Sequence, residues 1–244
     1  MAEKVMMKDV SMEALALYLD GKRDPGAFKQ EEWEILSQIE DGTEIVFEEK
    51  EYLLPGTLFI KQPLTLTGNG AHLKGDGADF GIMVLCGNVK ISNFVMTDIP
   101  YLLEIDPYGA VCEHVTVEYI DAEVGANGIQ VGSSRSGGIV RDIHISHCTF
   151  HGKDAWGDTG LEANLLITVY AAVGRNDGTE QVNDCLAEDI YIEDNVCKGS
   201  YRTAINITSA MAAEFQLTEY KGTYHNNTVK DIHILRNHVD CAWD

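Results

Sequence analysis

The chain has 244 residues, 45% of them hydrophobic, enough to bury a sizeable core as one domain with at most a small appendage. Acidic residues outnumber basic ones 39 to 18, and the net charge of -21 repels phosphate backbones, polyuronides and anionic lipid. Nucleic acid and membrane surfaces are therefore not expected partners; a bound cation, acid–base chemistry and a plain solvated acidic surface all remain compatible with the charge.

Residues 1–9 contain no apolar run like a secretory leader, and no later run reaches membrane-spanning length, so the expected location is cytoplasmic for the chain as given. Residues 11–39 read as two short amphipathic helices: Leu15, Leu17 and Leu19 follow Ser11, and Trp33, Leu36 and Ile39 follow the Asp24-Pro25-Gly26 break. From Thr43 the pattern changes to short β-branched and aromatic runs, Ile45-Val46-Phe47, Tyr52-Leu53-Leu54, Thr57-Leu58-Phe59-Ile60 and Leu64-Thr65-Leu66. Those are strands, and Gly68-Asn69-Gly70, Gly75-Asp76-Gly77 and Gly87-Asn88 supply tight turns between them.

A nine-residue repeat then takes over. It reads Asn, Asp or His, then Val or Ile, any residue, Val or Ile, two residues, a seventh position, any residue and an apolar ninth. Copies begin at Asn88, His114, Asp142, Asp189 and Asp231. Side chains alternate across a strand, so positions 2 and 4 (Val89/Ile91, Val115/Val117, Ile143/Ile145, Ile190/Ile192, Ile232/Ile234) face one interior. Position 7 runs Phe94, Ile120, Cys148, Asn195, Asn237, an inward stack whose amides are expected to hydrogen-bond along it. A second strand precedes each copy, around Met83, Glu104, Gln130, Thr168 and Asn206, and the spacing between the two grows along the chain. Insertions thus accumulate at one corner of a repeating structure, an edge that is often the binding face. Cys86, Cys112, Cys148, Cys185, Cys197 and Cys241 lack paired spacing, so neither a disulfide framework nor zinc is expected.

The series resembles the right-handed parallel β-helix of the pectate-lyase-like superfamily over roughly residues 43–244, and residues 56–70 resemble the first coil of such proteins. The resemblance implies an all-β solenoid with short N-terminal capping helices: a helical segment and cap over residues 1–42, with 27–40 closing the open end, and a β-helix domain over 43–244. Because the sequence stops just after a repeat strand, the domain is expected to be truncated there, or to use that open end for homo-oligomers. Related folds include lyases, hydrolases, epimerases and adhesins, so the repeat specifies the fold more sharply than the reaction. Family lyases remove a proton beside a uronate, with calcium or arginine neutralising the carboxylate, and no matching cluster is found in this chain.

Glu104 and Asp106 lie two apart beside inward-facing Leu103 and Ile105, which places both carboxylates on one outer face. Paired carboxylates suit glycoside hydrolysis, where one donates a proton and the other acts as base or nucleophile; a solvated acidic edge has the same signature. Gln130, Thr168 and Asn206 continue that row on successive rungs ~4.8 Å apart, a polar row suited to hydroxyl-rich ligands. His144, on the other outward row, reads better as a surface residue than as a base, because no nucleophile motif accompanies it. Two long insertions, 171–186 with Arg175, Asp177 and Glu180, and 209–228 with Glu214, Tyr220 and His225, are placed to wall a groove. The 132–138 segment reads as a turn bringing Arg135 to that groove, and Trp156, Tyr170 and Tyr201 are either sugar-stacking rings or packing.

The expectation is therefore a carbohydrate-active enzyme, a glycoside hydrolase with Glu104 and Asp106 as catalytic residues and Gln130, Arg135, Thr168, Tyr170, Arg175 and Asn206 as substrate contacts. No cofactor or metal is expected, except calcium were the enzyme a polysaccharide lyase. The alternatives are that lyase and a non-catalytic glycan-binding or scaffold module.

Overall fold

The computed structural model describes residues 4–152, 165–173, 181–199, 203–211 and 224–241. The described residues are predominantly β, 59% strand and 10% helix. It opens with β1 (Lys4–Met6), then α1 (Met12–Leu19) and α2 (Gln30–Leu36), before β2 (Thr43–Val46), β3 (Glu51–Leu54), β4 (Leu58–Ile60) and the long β5 (Leu64–Gly75). There follow β6 (Phe80–Val84), β7 (Val89–Thr97), β8 (Tyr101–Ile105), β9 (Val111–Val124), β10 (Asn127–Ser133), β11 (Ile139–Ser146) and β12 (Thr149–Gly152). The last described strands are β13 (Leu165–Val173), β14 (Leu186–Glu193), β15 (Val196–Gly199), β16 (Thr203–Met211), β17 (Thr228–Leu235) and β18 (His238–Cys241).

These strands make two sheets, and the chain visits them in turn. One sheet runs β1-β2-β5-β7-β9-β11-β14-β17, with β3, β12, β15 and β18 beside that path; the other runs β16-β13-β10-β8-β6-β4. Each strand pairs parallel with its counterpart one circuit earlier. This topology is compatible with the parallel solenoid that the repeat implies.

The inward pairs stack in register. Val89, Val115, Ile143, Ile190 and Ile232 align across successive strands, as do Ile91, Val117, Ile145, Ile192 and Ile234. Position 7 carries the amide ladder: the Asn195 amide donates to the Ile145 carbonyl (2.9 Å) and to Asn237 Oδ1 (3.0 Å), while its own Oδ1 accepts from the Cys148 N–H (2.9 Å). Cys148 and Cys197 lie fully buried in this core, and burial pushes the Cys148 thiol up to about 12. Cys86, Cys112, Cys148, Cys185 and Cys197 are all free thiols.

The corners explain the repeat's polar positions. Position 1, occupied by Asn88, His114, Asp142, Asp189 and Asp231, is left-handed in every copy, with φ between 52° and 59°. Asn, Asp and His tolerate that region best among residues with a Cβ. Position 6 (Asn93, Tyr119, His147, Asp194, Arg236) is left-handed too, with φ of 54–61°. Between these two bends lies the short strand that faces positions 2 and 4 inward, so each copy turns the chain twice.

At the N-terminal end, the Ser11 hydroxyl caps α1 by accepting from the Ala14 N–H, and Glu32 of α2 accepts from both the Ser11 N–H (3.0 Å) and hydroxyl (2.6 Å). α1 buries Met12, Ala14, Leu15, Tyr18 and Leu19 and is the helix that packs on β3 and β4; α2 contributes Leu36. β1 extends the first sheet by pairing with β2, an element absent from the sequence reading. At the other end the inward columns open to solvent: Ile192 is 0% exposed, whereas Ile234 one strand later is 47% exposed.

Candidate functional site

The second sheet assembles the expected row. Register pairs Met83 with Glu104, Glu104 with Gln130, Gln130 with Thr168 and Thr168 with Asn206. Leu103 and Ile105, flanking Glu104 on β8, belong to the core, so Glu104 points away from it. The row is nevertheless not a solvated edge. Glu104 is 1% exposed, Asp106 0%, Gln130 6% and Thr168 0%, and only Asn206, at the far end, is half-buried. Burial of this kind was not visible in strand alternation, which reports direction and not cover. Thr168 Oγ1 is enclosed without a hydrogen-bond partner among the described residues.

Tyr170 accounts for part of that cover. β10 and β13 pair in register up to Val131 and Val169 and again at Ser133 and Ala172, so Tyr170 and Ala171 together oppose the single residue Gly132. This is a β-bulge, which re-aims the bulged side chain. Tyr170 packs against Gly132, where any Cβ would fall onto the ring atoms Cδ2 and Cε2 and onto the Tyr170 carbonyl oxygen. Crossing β10 in this way, the hydroxyl donates to Glu104 Oε1 on β8 at 3.0 Å and lies 3.4 Å from Gln130 Oε1. A hydroxyl has one proton to give, and Glu104 takes it. Turned about its amide, Gln130 would donate to the Tyr170 oxygen instead, completing a chain from Gln130 through Tyr170 to Glu104.

Tyr170 is fully buried, so it presents no free ring face for a sugar. The surroundings push its hydroxyl well above the ordinary tyrosine range, first by burial and then through the negative charge of Asp106. Within the 132–138 segment the turn spans 134–137, while β10 continues through Ser133 and Gly132 is a strand residue. An isolated glycine inside a strand was the one signal that another group approaches closely.

Asp106 sits just past the end of β8, where the chain turns. Its Oδ1 accepts from the Tyr108 N–H (2.9 Å) and from the Ser134 N–H of the next circuit (3.1 Å). Burial raises its carboxyl above the ordinary range, opposed by hydrogen bonds from Ser134 and Tyr108 and by the charge of Arg135. Arg135 is exposed, with its guanidinium 5.5 Å from the centre of the half-exposed Tyr108 ring. Its backbone is fixed by the Ser133 hydroxyl, which donates to the Arg135 carbonyl at 2.8 Å, and by the Cys185 thiol on the same carbonyl at 3.2 Å. Arg175 lies outside the described residues, as do Trp156, Asp177, Glu180, Tyr201, Glu214 and Tyr220.

The outer row of the first sheet is built differently. His144, Tyr191 and His233 stack with ring centres 4.5 Å apart and nearly parallel planes. Asp142 accepts from both His114 and His144, and those contacts, His114 first, hold its carboxyl below the ordinary range. The His144 side chain is 44% exposed, so its partners form a surface ladder and not an enclosed site. Among the described residues no group of His, Cys, Asp and Glu side chains is arranged to hold a metal ion, and no helix is long and apolar enough to cross a membrane.

Compared with protein-family models, curated proteins and solved structures, the chain matches none.

Proposed function

We propose that the chain is a right-handed parallel β-helix protein similar to the pectate-lyase-like superfamily and that it acts on a glycan at the second sheet, as a glycoside hydrolase. The alternation of the chain between two parallel sheets supports the fold. The observation that carries the function is the enclosed Glu104, hydrogen-bonded to the Tyr170 hydroxyl and two residues from Asp106, on a row continued by Gln130, Thr168 and Asn206.

Hydrolysis of a glycosidic bond needs one carboxyl group that is protonated and one that is ionised. Burial disfavours the charge of both carboxyls; it prevails at Asp106, which is raised despite its hydrogen bonds, while at Glu104 the donated Tyr170 hydroxyl works against it. Asp106 is then the acid and Glu104 the base or nucleophile. Sugar hydroxyls would meet the amides of Gln130 and Asn206 and the hydroxyl of Thr168. The exposed Arg135 and Tyr108 mark the corner by which a ligand would approach, and Tyr108, not Tyr170, offers the ring to a sugar.

One observation favours a second reading, a non-catalytic glycan-binding or scaffold module: both carboxylates are enclosed, and Asp106 already holds two backbone N–H groups. Incubation of the full chain with a panel of neutral oligosaccharides, followed by product chromatography, separates the readings. Hydrolysis products that disappear in Glu104→Gln and Asp106→Asn support the hydrolase. A calcium-dependent rise in unsaturated-uronate absorbance would point to a lyase, and binding without product to the module. Turnover and binding unchanged in both variants would remove the site altogether.

A further inference from the structure

We propose that Tyr170 is a positioning residue for Glu104: the bulge at Tyr170–Ala171 and the bare backbone of Gly132 aim its hydroxyl across β10 onto Glu104 Oε1, fixing the carboxyl in direction and favouring its ionised form over what the same site would allow without the hydroxyl. The proposal deepens the glycan-site reading, since it assigns Glu104 the part of base or nucleophile, but the contact itself stands on independent features.

Three observations converge on it. The extra residue falls at Tyr170–Ala171, between the pairs Val131–Val169 and Ser133–Ala172, so the irregularity lies at this side chain. Gly132 is the residue beneath the ring, and a methyl group there has no space. The hydroxyl then reaches a carboxylate two strands away, at 3.0 Å, inside an enclosed site. A tyrosine placed only to fill space would not need a bulge, a glycine and an ionisable partner together; an apolar ring would pack equally well and leave no buried hydroxyl to satisfy. Glu104 is likewise too enclosed for water to support its charge, so the hydrogen bond donated to Oε1 works against the burial that disfavours ionisation. Among the described charged groups, Asp106 opposes ionisation of Tyr170, and Arg135 favours the charge of Asp106.

The test is a carboxyl-carbon NMR titration of the full chain labelled at glutamate, with the Glu104 signal identified by its loss in Glu104→Gln. Tyr170→Phe keeps the ring on Gly132 and removes only the hydroxyl. It is expected to raise the Glu104 midpoint by about one pH unit, a tenfold gain in proton affinity. Tyr170→Leu removes ring and hydroxyl together and is expected to move the midpoint in the same direction; it decides the matter should Tyr170→Phe not fold. A Glu104 midpoint unchanged in a folded variant overturns the proposal. If the wild-type chain releases no product from any glycan, the hydrolase reading fails, while the titration still decides the role of Tyr170. With a substrate in hand, Tyr170→Phe should lower kcat and shift the acidic limb of its pH profile upward, with KM little changed.

Discussion

At the scale of single residues, Asp106 combines two roles that pull in opposite directions. Its Oδ1 ties the corner after β8 to the corner after β10, yet its charge is poorly tolerated where it sits. A carboxyl whose value is raised on folding binds its proton more tightly in the native state, so its contribution is fully present below the unfolded value near 3.8 and is lost as pH rises through the raised folded value. Asp106→Asn retains an acceptor oxygen for both N–H groups and removes the charge. Urea midpoints measured against pH should therefore fall less between pH 4 and neutrality, by about that window, in the variant than in the wild type. Asp189, at φ 53°, illustrates a different residue-scale constraint. Replacing it with Ala places an ordinary side chain in the left-handed region, at a cost of about 1–2 kcal/mol in denaturant unfolding. The same change at exposed Lys198, within a strand, should cost under about 0.5 kcal/mol.

Among elements, what was legible in the sequence and what was not divides along a physical line. The inward pairs were readable because a strand repeats every two residues, and five copies fix the phase. The amide ladder was readable for the same reason, since Asn195 and Asn237 fell on a position otherwise filled by Phe, Ile and Cys. Asn195→Leu should cost about 2–4 kcal/mol of unfolding free energy, because it strands the Cys148 N–H and the Ile145 carbonyl in the core. The second bend of each repeat was not readable: Asn93, Tyr119, His147, Asp194 and Arg236 share a backbone conformation and no side-chain chemistry. The row Glu104, Gln130, Thr168, Asn206 could be aligned from strand phase, but its enclosure could not, because cover depends on segments distant in sequence. The bulge opposite Gly132 is a property of pairing between two strands, so only the glycine hinted at it.

For the whole molecule, the inward columns that close over themselves in the middle of the stack lie open at β16, β17 and β18, with Ile207, Ile234 and Val239 all exposed. Strand edges with apolar columns behind them favour association. Sedimentation of the 244-residue chain is expected to show concentration-dependent self-association that Ile234→Lys weakens, whereas Lys placed at exposed Leu17 on α1 should leave it unchanged. The parallel pairing has a further consequence. Among the described residues each strand pairs with its counterparts one circuit before and one after, so the sheet pairing is between neighbouring circuits. Stretched between its termini, the chain should therefore yield as a zip yields, releasing one circuit at a time from the open end, in a train of small force steps and not in a single rupture.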